Sequence, residues 1–184
     1  MLTCVLLSGG MDSAACIHYY RDLQRTVRAL FVNYGQAGAR VERESARAVG
    51  RHYGVFLDEL SIAGQSTLPA GEIVGRNALL VMVVAMHFPE RSGMIALGIH
   101  AGTTYYDCTP DFVRAVNSVL DGYTDGRVRC EVPFVGWNKA DIWQYCRKVG
   151  VPIALTYSCE AGSQPPCGRC LSCLDRERLD ACET

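Results

Sequence analysis

The chain has 184 residues, 49% of them apolar and 20% charged, with a formal net charge of −1. This length suits one domain burying roughly 70% of its unfolded surface, and the composition excludes an intrinsically disordered chain. With no strong overall field to attract a polyanion, neither nucleic acid as main partner nor membrane binding is expected.

Cys4–Leu7 reads as a first strand, followed by the loop Ser8-Gly9-Gly10-Met11-Asp12-Ser13 and a helix to about Leu23. Val27–Val32 is the next strand, ending at Asn33-Tyr34-Gly35. The helix Ala39–Tyr53 stops at Gly54, which suits a left-handed cap, and Val55–Leu60 is a third strand. Ser61–Gly75 is a loop by its Gly, Ser, Thr and Pro content, and Asn77 is expected to cap an apolar, buried helix over Ala78–Phe88. Met94–Ile99 (strand), Pro110–Leu120 (helix) and Val128–Pro133 (strand) follow, and Asn138 caps the helix KADIWQYCRKV, which ends at Gly150. Strands alternating with helices predict a doubly wound α/β domain with a mostly parallel sheet.

From Cys159 onward the chain carries Cys, Gly, Pro and Arg with almost no apolar run, so something other than hydrophobic burial must order it. The expected division is an α/β body over 1–156 and a metal-binding segment over 157–184 packed on it. The N-terminus lacks the basic region of a signal peptide, and Ala78–Met86 falls far short of the ~20 apolar residues that span a bilayer. A cytoplasmic protein is expected, and its ten cysteines then suit metal binding or burial rather than disulfides.

The glycine loop lies where the first strand turns into the first helix, at the sheet edge where open α/β folds bind ligands. Glycines let backbone N–H groups approach a phosphate, the helix N-terminus adds positive potential, and Ser8 and Ser13 can donate. Asp12, itself an anion, suits a Mg²⁺ bridging the phosphates. The loop is not a Walker motif: no G-x-x-x-x-G-K-[ST] occurs, and the first of the two lysines is Lys139. Lys139 in a helix first turn opposes the dipole unless a phosphate is near. Arg76 can grip an anion as a fork.

Cys159-x7-Cys167-x2-Cys170-x2-Cys173 places four thiols within reach of one tetrahedral ion, with Gly162, Pro165, Pro166 and Gly168 supplying turns. The spacing also admits an iron–sulfur cluster. Cys4, Cys16, Cys130 and Cys146 read as core, Trp137 and Trp143 as packing on the sheet, and His18, His52, His87 and His100 show no ligand spacing.

SGGMDS resembles the SGGxDS loop of the N-type ATP pyrophosphatases, and within them the chain is similar to the 7-cyano-7-deazaguanine synthases. Val32-Asn33-Tyr34-Gly35-Gln36, Gly75-Arg76-Asn77, Gly98, Asp107-Cys108, Lys139-Ala140-Asp141-Ile142 and the terminal cysteines with Arg176 occur in family order over nearly the whole length. The resemblance implies an adenine nucleotide alpha-hydrolase-like fold and an ATP-dependent ligase that adenylates a carboxylate on 7-deazaguanine, then uses ammonia to reach a nitrile. It implies ATP held by Leu7 through Ser13 with Tyr34, Gln36, Arg76 and Asn77, and catalysis by Asp12, Ser13 and Lys139. Substrate contacts fall to Asp107 and Cys108, which line rather than attack. The resemblance further implies one Zn²⁺ per subunit on Cys159, Cys167, Cys170 and Cys173, and a homodimer. The chain departs from the family at Ala37-Gly38 in place of Arg-His, Val74-Gly75 in place of Pro-Gly, and Thr109 in place of an arginine, all on the acceptor side. These departures keep three alternatives open: a paralogue with a different amine or protein acceptor, a nucleotide-binding module without turnover, and a sulfur-transferring tRNA enzyme on the same scaffold.

Overall fold

A computed structural model describes residues 1–63, 68, 71–88 and 92–181. Its elements are β1 (Leu2–Leu6), α1 (Met11–Asp22), β2 (Thr26–Asn33), α2 (Ala39–Tyr53), β3 (Leu57–Ser61), α3 (Arg76–His87), β4 (Gly93–Ala96), α4 (Pro110–Thr124), β5 (Val128–Glu131), α5 (Lys139–Val149) and α6 (Leu171–Ala181). The strands form one parallel sheet in the order β3-β2-β1-β4-β5. Successive residues of a strand face opposite sides, and each side has its own core. Val5, Ala29 and Phe31 meet Ile17, Val49 and Ile142 of α1, α2 and α5. Leu6, Leu30 and Val32 meet Val81, Val84, Phe112 and Leu120 of α3 and α4. The predicted doubly wound α/β fold is therefore present, and its order reverses between β1 and β4, which opens a crevice at their carboxyl ends.

Local signals decide several boundaries as expected. Gly54 and Gly150 end α2 and α5 in the left-handed conformation, at φ 61° and 76°. Asn138 accepts from the Asp141 amide at 3.0 Å while Asp141 accepts from the Asn138 amide at 2.8 Å, a reciprocal cap on α5. Other boundaries differ. β3 starts two residues later than expected, β4 ends at Ala96, β5 ends at Glu131, and α4 runs four residues beyond Leu120. Of the expected loop Ser61–Gly75, residues 64–67 and 69–70 lie outside the described residues.

Helix α3 corrects two expectations. It starts at Arg76 behind Gly75, whose φ is 75°, and Asn77 is not its cap. Asn77 is buried and its side-chain amide donates to the Asp107 carbonyl at 3.1 Å, while its backbone N–H donates to the Asp107 carboxylate at 3.3 Å. The acid from the following segment thus satisfies a first-turn donor that no residue of the helix itself reaches. Nor is α3 buried all round: Val81 and Val84 face the sheet, whereas Leu79 is 45% and Met86 83% exposed. One stripe is enough for a helix lying on a sheet, and the outer face stays apolar here.

Candidate active site

A cavity of about 310 Å³ lies over the carboxyl ends of β1, β2 and β4. Of the residues singled out in the sequence, Leu7, Ser8, Gly10, Met11, Asp12, Ser13, Tyr34, Gln36, Arg76, Asn77 and Lys139 line it. Gly9 shapes it from behind. Its φ is 83°, and a Cβ there would stand 2.4 Å from the Glu42 carbonyl oxygen, so only glycine lets α2 approach the loop this closely. Gly10 has ordinary backbone angles, and an added Cβ would be 3.4 Å from Ser8 Oγ and 3.7 Å from the Tyr157 carbonyl oxygen. Gly98 lets the end of β4 pass the start of α1, where a Cβ would meet the Asp12 carbonyl carbon at 2.7 Å.

The loop leads directly into α1. The first helical bond runs from the Ala14 amide to the Gly10 carbonyl at 3.1 Å, and the helix offers the preceding amides of Met11, Asp12 and Ser13 no partner. Ser13 Oγ donates to the Gly10 carbonyl at 2.9 Å and lies 3.1 Å from Ser8 Oγ, which also accepts from the Gly10 amide at 3.3 Å. Two hydroxyls and a row of first-turn amides thus converge at the positive end of a helix, an arrangement that binds anions.

Lys139 crosses to this loop from the first turn of α5. Its Nζ donates to both oxygens of Asp12, at 2.8 and 2.6 Å. Asp12 also lies 3.8 Å from His100 Nε2. The Gly102 amide donates to His100 Nδ1 at 2.9 Å, which puts the ring proton on Nε2, facing Asp12. Burial holds the His100 pKa below its ordinary value, so the ring is neutral.

At the other end of the cavity Gln36 folds back on its own turn. Its Oε1 accepts from the Tyr34 amide at 2.9 Å, and its Nε2 donates to the Val32 carbonyl at 3.2 Å and to Glu42 Oε2 at 3.0 Å. Glu42 lines the cavity, and burial raises its carboxyl pKa against the opposing pull of Gln36 and Arg76. Burial likewise raises the Tyr34 phenol, and Arg76 draws it back. Asp107 and Cys108 do not line this cavity. Asp107 is occupied with the start of α3, and the Cys108 thiol is buried and raised by desolvation, the setting of an inert cysteine.

Sequence reasoning missed Glu42, Tyr157, Ser158 and Ser172, which line the cavity, and His100 beside Asp12. Glu42 and His100 carry no motif, and only the fold brings them in. A usable signal did exist for Tyr157 and Ser158, because both immediately precede Cys159.

The Sγ atoms of Cys159, Cys167, Cys170 and Cys173 all lie within 4.8 Å of one another. Four thiolates at 2.3 Å around one tetrahedral ion would be ~3.8 Å apart, so the cluster fits a single metal with small adjustment. The amides of Cys167 and Cys170 donate to the sulfurs of Cys159 and Cys167, at 3.3 and 3.4 Å. Cys4, Cys130 and Cys146, by contrast, have thiols that burial pushes up to about 12. They remain protonated, in keeping with places inside the sheet and helices.

The profile of the family described as queuosine biosynthesis protein QueC matches residues 3–68 and 63–181. The chain belongs to this family. A QueC relative, the 7-cyano-7-deazaguanine synthase of Methanothermobacter thermautotrophicus, is 33% identical over 94% of this chain and 91% of its own length. The synthase of Aquifex aeolicus is 30% identical over 94% of this chain and 93% of its own. Among solved structures, the U34-tRNA thiolase NcsA from Methanococcus maripaludis with its [4Fe-4S] cluster superposes with a TM-score of 0.61 at 14% identity, over all of this chain and 65% of that one. An NMN synthetase from Francisella tularensis gives 0.55 at 18% identity, over 88% of this chain and 66% of its own. This chain thus spans about two thirds of either solved chain, and at such identities the likeness concerns the fold. No described helix is long and apolar enough to cross a membrane.

Proposed function

We propose that this QueC-family chain is an ATP-dependent ligase that adenylates a carboxylate and converts 7-carboxy-7-deazaguanine and ammonia to 7-cyano-7-deazaguanine. The observation that carries the reading is Lys139 reaching across to the Ser8–Ser13 loop, within a cavity at the reversal point of the sheet. The named relatives supply the substrate class.

A carboxylate resists attack by an amine because its leaving group is oxide. Transfer of AMP from ATP, with release of pyrophosphate, gives it a good leaving group. Ammonia then displaces AMP and loses a proton to leave the amide. A second transfer to the amide oxygen, followed by loss of AMP and a proton, gives the nitrile. In this scheme the first-turn amides of α1 with Ser8 and Ser13 hold the pyrophosphate. Lys139 exchanges Asp12 for phosphate oxygens and neutralises charge developing at the α-phosphate. Asp12, once released, would hold a Mg²⁺ that bridges the phosphates. Tyr34, Gln36, Arg76 and Asn77 are assigned to the nucleoside and the acceptor, with Asp107 and Cys108 supporting that wall from behind.

We assign one zinc ion per subunit to Cys159, Cys167, Cys170 and Cys173. Sulfurs within 4.8 Å of one another support a single ion, since a cubane cluster interposes its irons and spreads its thiolates further. Zinc supplies a redox-inert cross-link there, and thiols that must stay reduced suit the cytoplasm. The segment 157–184 is taken as an attachment to a body over 1–156. A homodimer completes the proposal, with the exposed apolar side chains of α3 and α4, among them Met86 and Tyr123, as the surface that a second copy would cover.

Metal-loaded protein incubated with ATP, 7-carboxy-7-deazaguanine and ammonium should yield AMP and the nitrile by product mass. A second reading, a paralogue with a different amine or protein acceptor, draws support from Asp107 and Cys108 standing outside the cavity. It predicts AMP formation with a stalled amide or a protein adduct. ATP bound without AMP release under any acceptor would overturn both.

A further inference from the structure

The metal segment and the phosphate loop share a wall. The Tyr157 amide donates to the Gly9 carbonyl at 2.9 Å, and Tyr157, Ser158 and Ser172 line the same cavity as the loop. Cys159, the first of the four thiols, follows Ser158 directly. Beyond it, Glu160 Oε1 accepts from the Ser172 amide at 3.1 Å and from its hydroxyl at 2.8 Å, which ties the start of α6 to the turn between the first two cysteines. On its other side the segment bears on the turn after β2. A Cβ on Gly162 would stand 2.3 Å from the Ala37 carbonyl oxygen, and Arg40 donates to Gln164 Oε1 at 2.7 Å.

Hydrophobic burial does little to order this wall. None of the residues of α6 is buried, although Leu179 packs against the core and the Arg176 guanidinium lies 5.0 Å from the Trp143 ring centre. Those contacts hold the far part of α6. Within the stretch from Tyr157 to Cys170, Tyr157 Oη donates to the Ser163 carbonyl at 2.7 Å and the Gly162 amide to the Cys159 carbonyl at 3.1 Å. Apart from the Glu160–Ser172 bonds, however, the contacts that close it onto the start of α6 converge on the thiols, and in small thiolate-rich modules the metal decides whether the backbone is ordered. The Gly9 carbonyl that it tethers belongs to a residue at φ 83°, a conformation glycine leaves readily when nothing holds it.

From this juxtaposition we infer that metal ligation by Cys159, Cys167, Cys170 and Cys173 sets the nucleotide affinity of the phosphate loop. The ion fixes Tyr157 to Ser172 as one wall of the cavity, and the Tyr157–Gly9 bond transmits that order to the loop. The inference rests on the nucleotide reading above and adds that the four thiols are a positioning element of the nucleotide site as well as a staple of the tail.

Equilibrium binding of Mg–ATP tests it on the full chain in four forms: zinc-loaded, stripped of zinc and desalted, stripped and reloaded, and zinc-loaded Gly162→Val. Zinc content and far-ultraviolet circular dichroism are recorded on each. Loaded protein should bind, and the stripped chain should keep its sheet signal yet bind about tenfold more weakly or worse, as expected for loss of one tether and ordering of a loop. Reloading should restore the affinity. Gly162→Val should weaken binding similarly with its zinc retained, because the added side chain pushes the segment off Ala37 without touching a ligand. Equal affinity with and without zinc, or failure of reloading to restore it, overturns the inference. Should the stripped chain lose its sheet signal, full affinity in Gly162→Val overturns it. No binding by the loaded wild type is a separate failure: it removes the nucleotide reading itself, and this inference with it.

Discussion

Gly9 and Gly10 stand side by side in one loop but do different work. Gly9 is glycine for the fold: alanine there meets the Glu42 carbonyl at 2.4 Å in a left-handed backbone. Gly9→Ala should cost at least about 2 kcal/mol, read as a lower denaturation midpoint. Gly10 is glycine for the ligand. Gly10→Ala should change the unfolding free energy by no more than about 0.5 kcal/mol while weakening ATP binding, because its methyl occupies space beside Ser8 Oγ. Lys139→Ala should lower AMP formation by about a hundredfold or more, and still leave a folded chain. Burial raises the Glu42 carboxyl pKa despite Gln36 and Arg76, so its charge at neutral pH costs stability, and Glu42→Gln should raise the melting temperature while reducing turnover. The glycines, the serines and Lys139 were legible in the sequence because their chemistry is local or carried by a motif. Glu42 and His100 were not, since each gains its place only when α2 and the end of β4 reach the loop.

Among the elements, caps written within one turn were readable, and caps supplied from a distance were not. The Asn138–Asp141 pair on α5 is local, whereas α3 takes its first-turn acceptor from Asp107, thirty residues on. Asn77 therefore looks like a cap in the sequence and is a buried brace in the fold. The apolar run of α3 misled in a similar way, because composition alone does not tell which stripe meets the sheet. β5 shows another long-range device. As an edge strand it would leave Cys130 unpaired on its outer side, but Asn117 of α4 accepts from the Cys130 amide at 2.8 Å and donates to its carbonyl at 2.9 Å. Asn117→Ala strands both buried groups and should cost about 2–4 kcal/mol, lowering the melting temperature by about 5–10 °C.

At the scale of the whole molecule, alternating strands and helices foretold the parallel sheet, and the order β3-β2-β1-β4-β5 puts the crevice beside the glycine loop. The docking of the metal segment on that loop was not legible, since cysteine spacing describes the ion and not what the surrounding backbone touches. Sedimentation of the metal-loaded protein should give about twice the chain mass, and a monomer at working concentration would remove the dimer from the proposal. All of the proposed chemistry depends on the first-turn amides of α1, with Ser8 and Ser13, holding the pyrophosphate of ATP under Lys139. A crystal structure with a non-hydrolysable ATP analogue tests it most directly. Phosphate oxygens should lie within hydrogen-bond distance of those amides, with Lys139 Nζ moved from Asp12 onto them. An analogue bound elsewhere, with the Lys139–Asp12 pair intact and the loop amides free of phosphate, would contradict it.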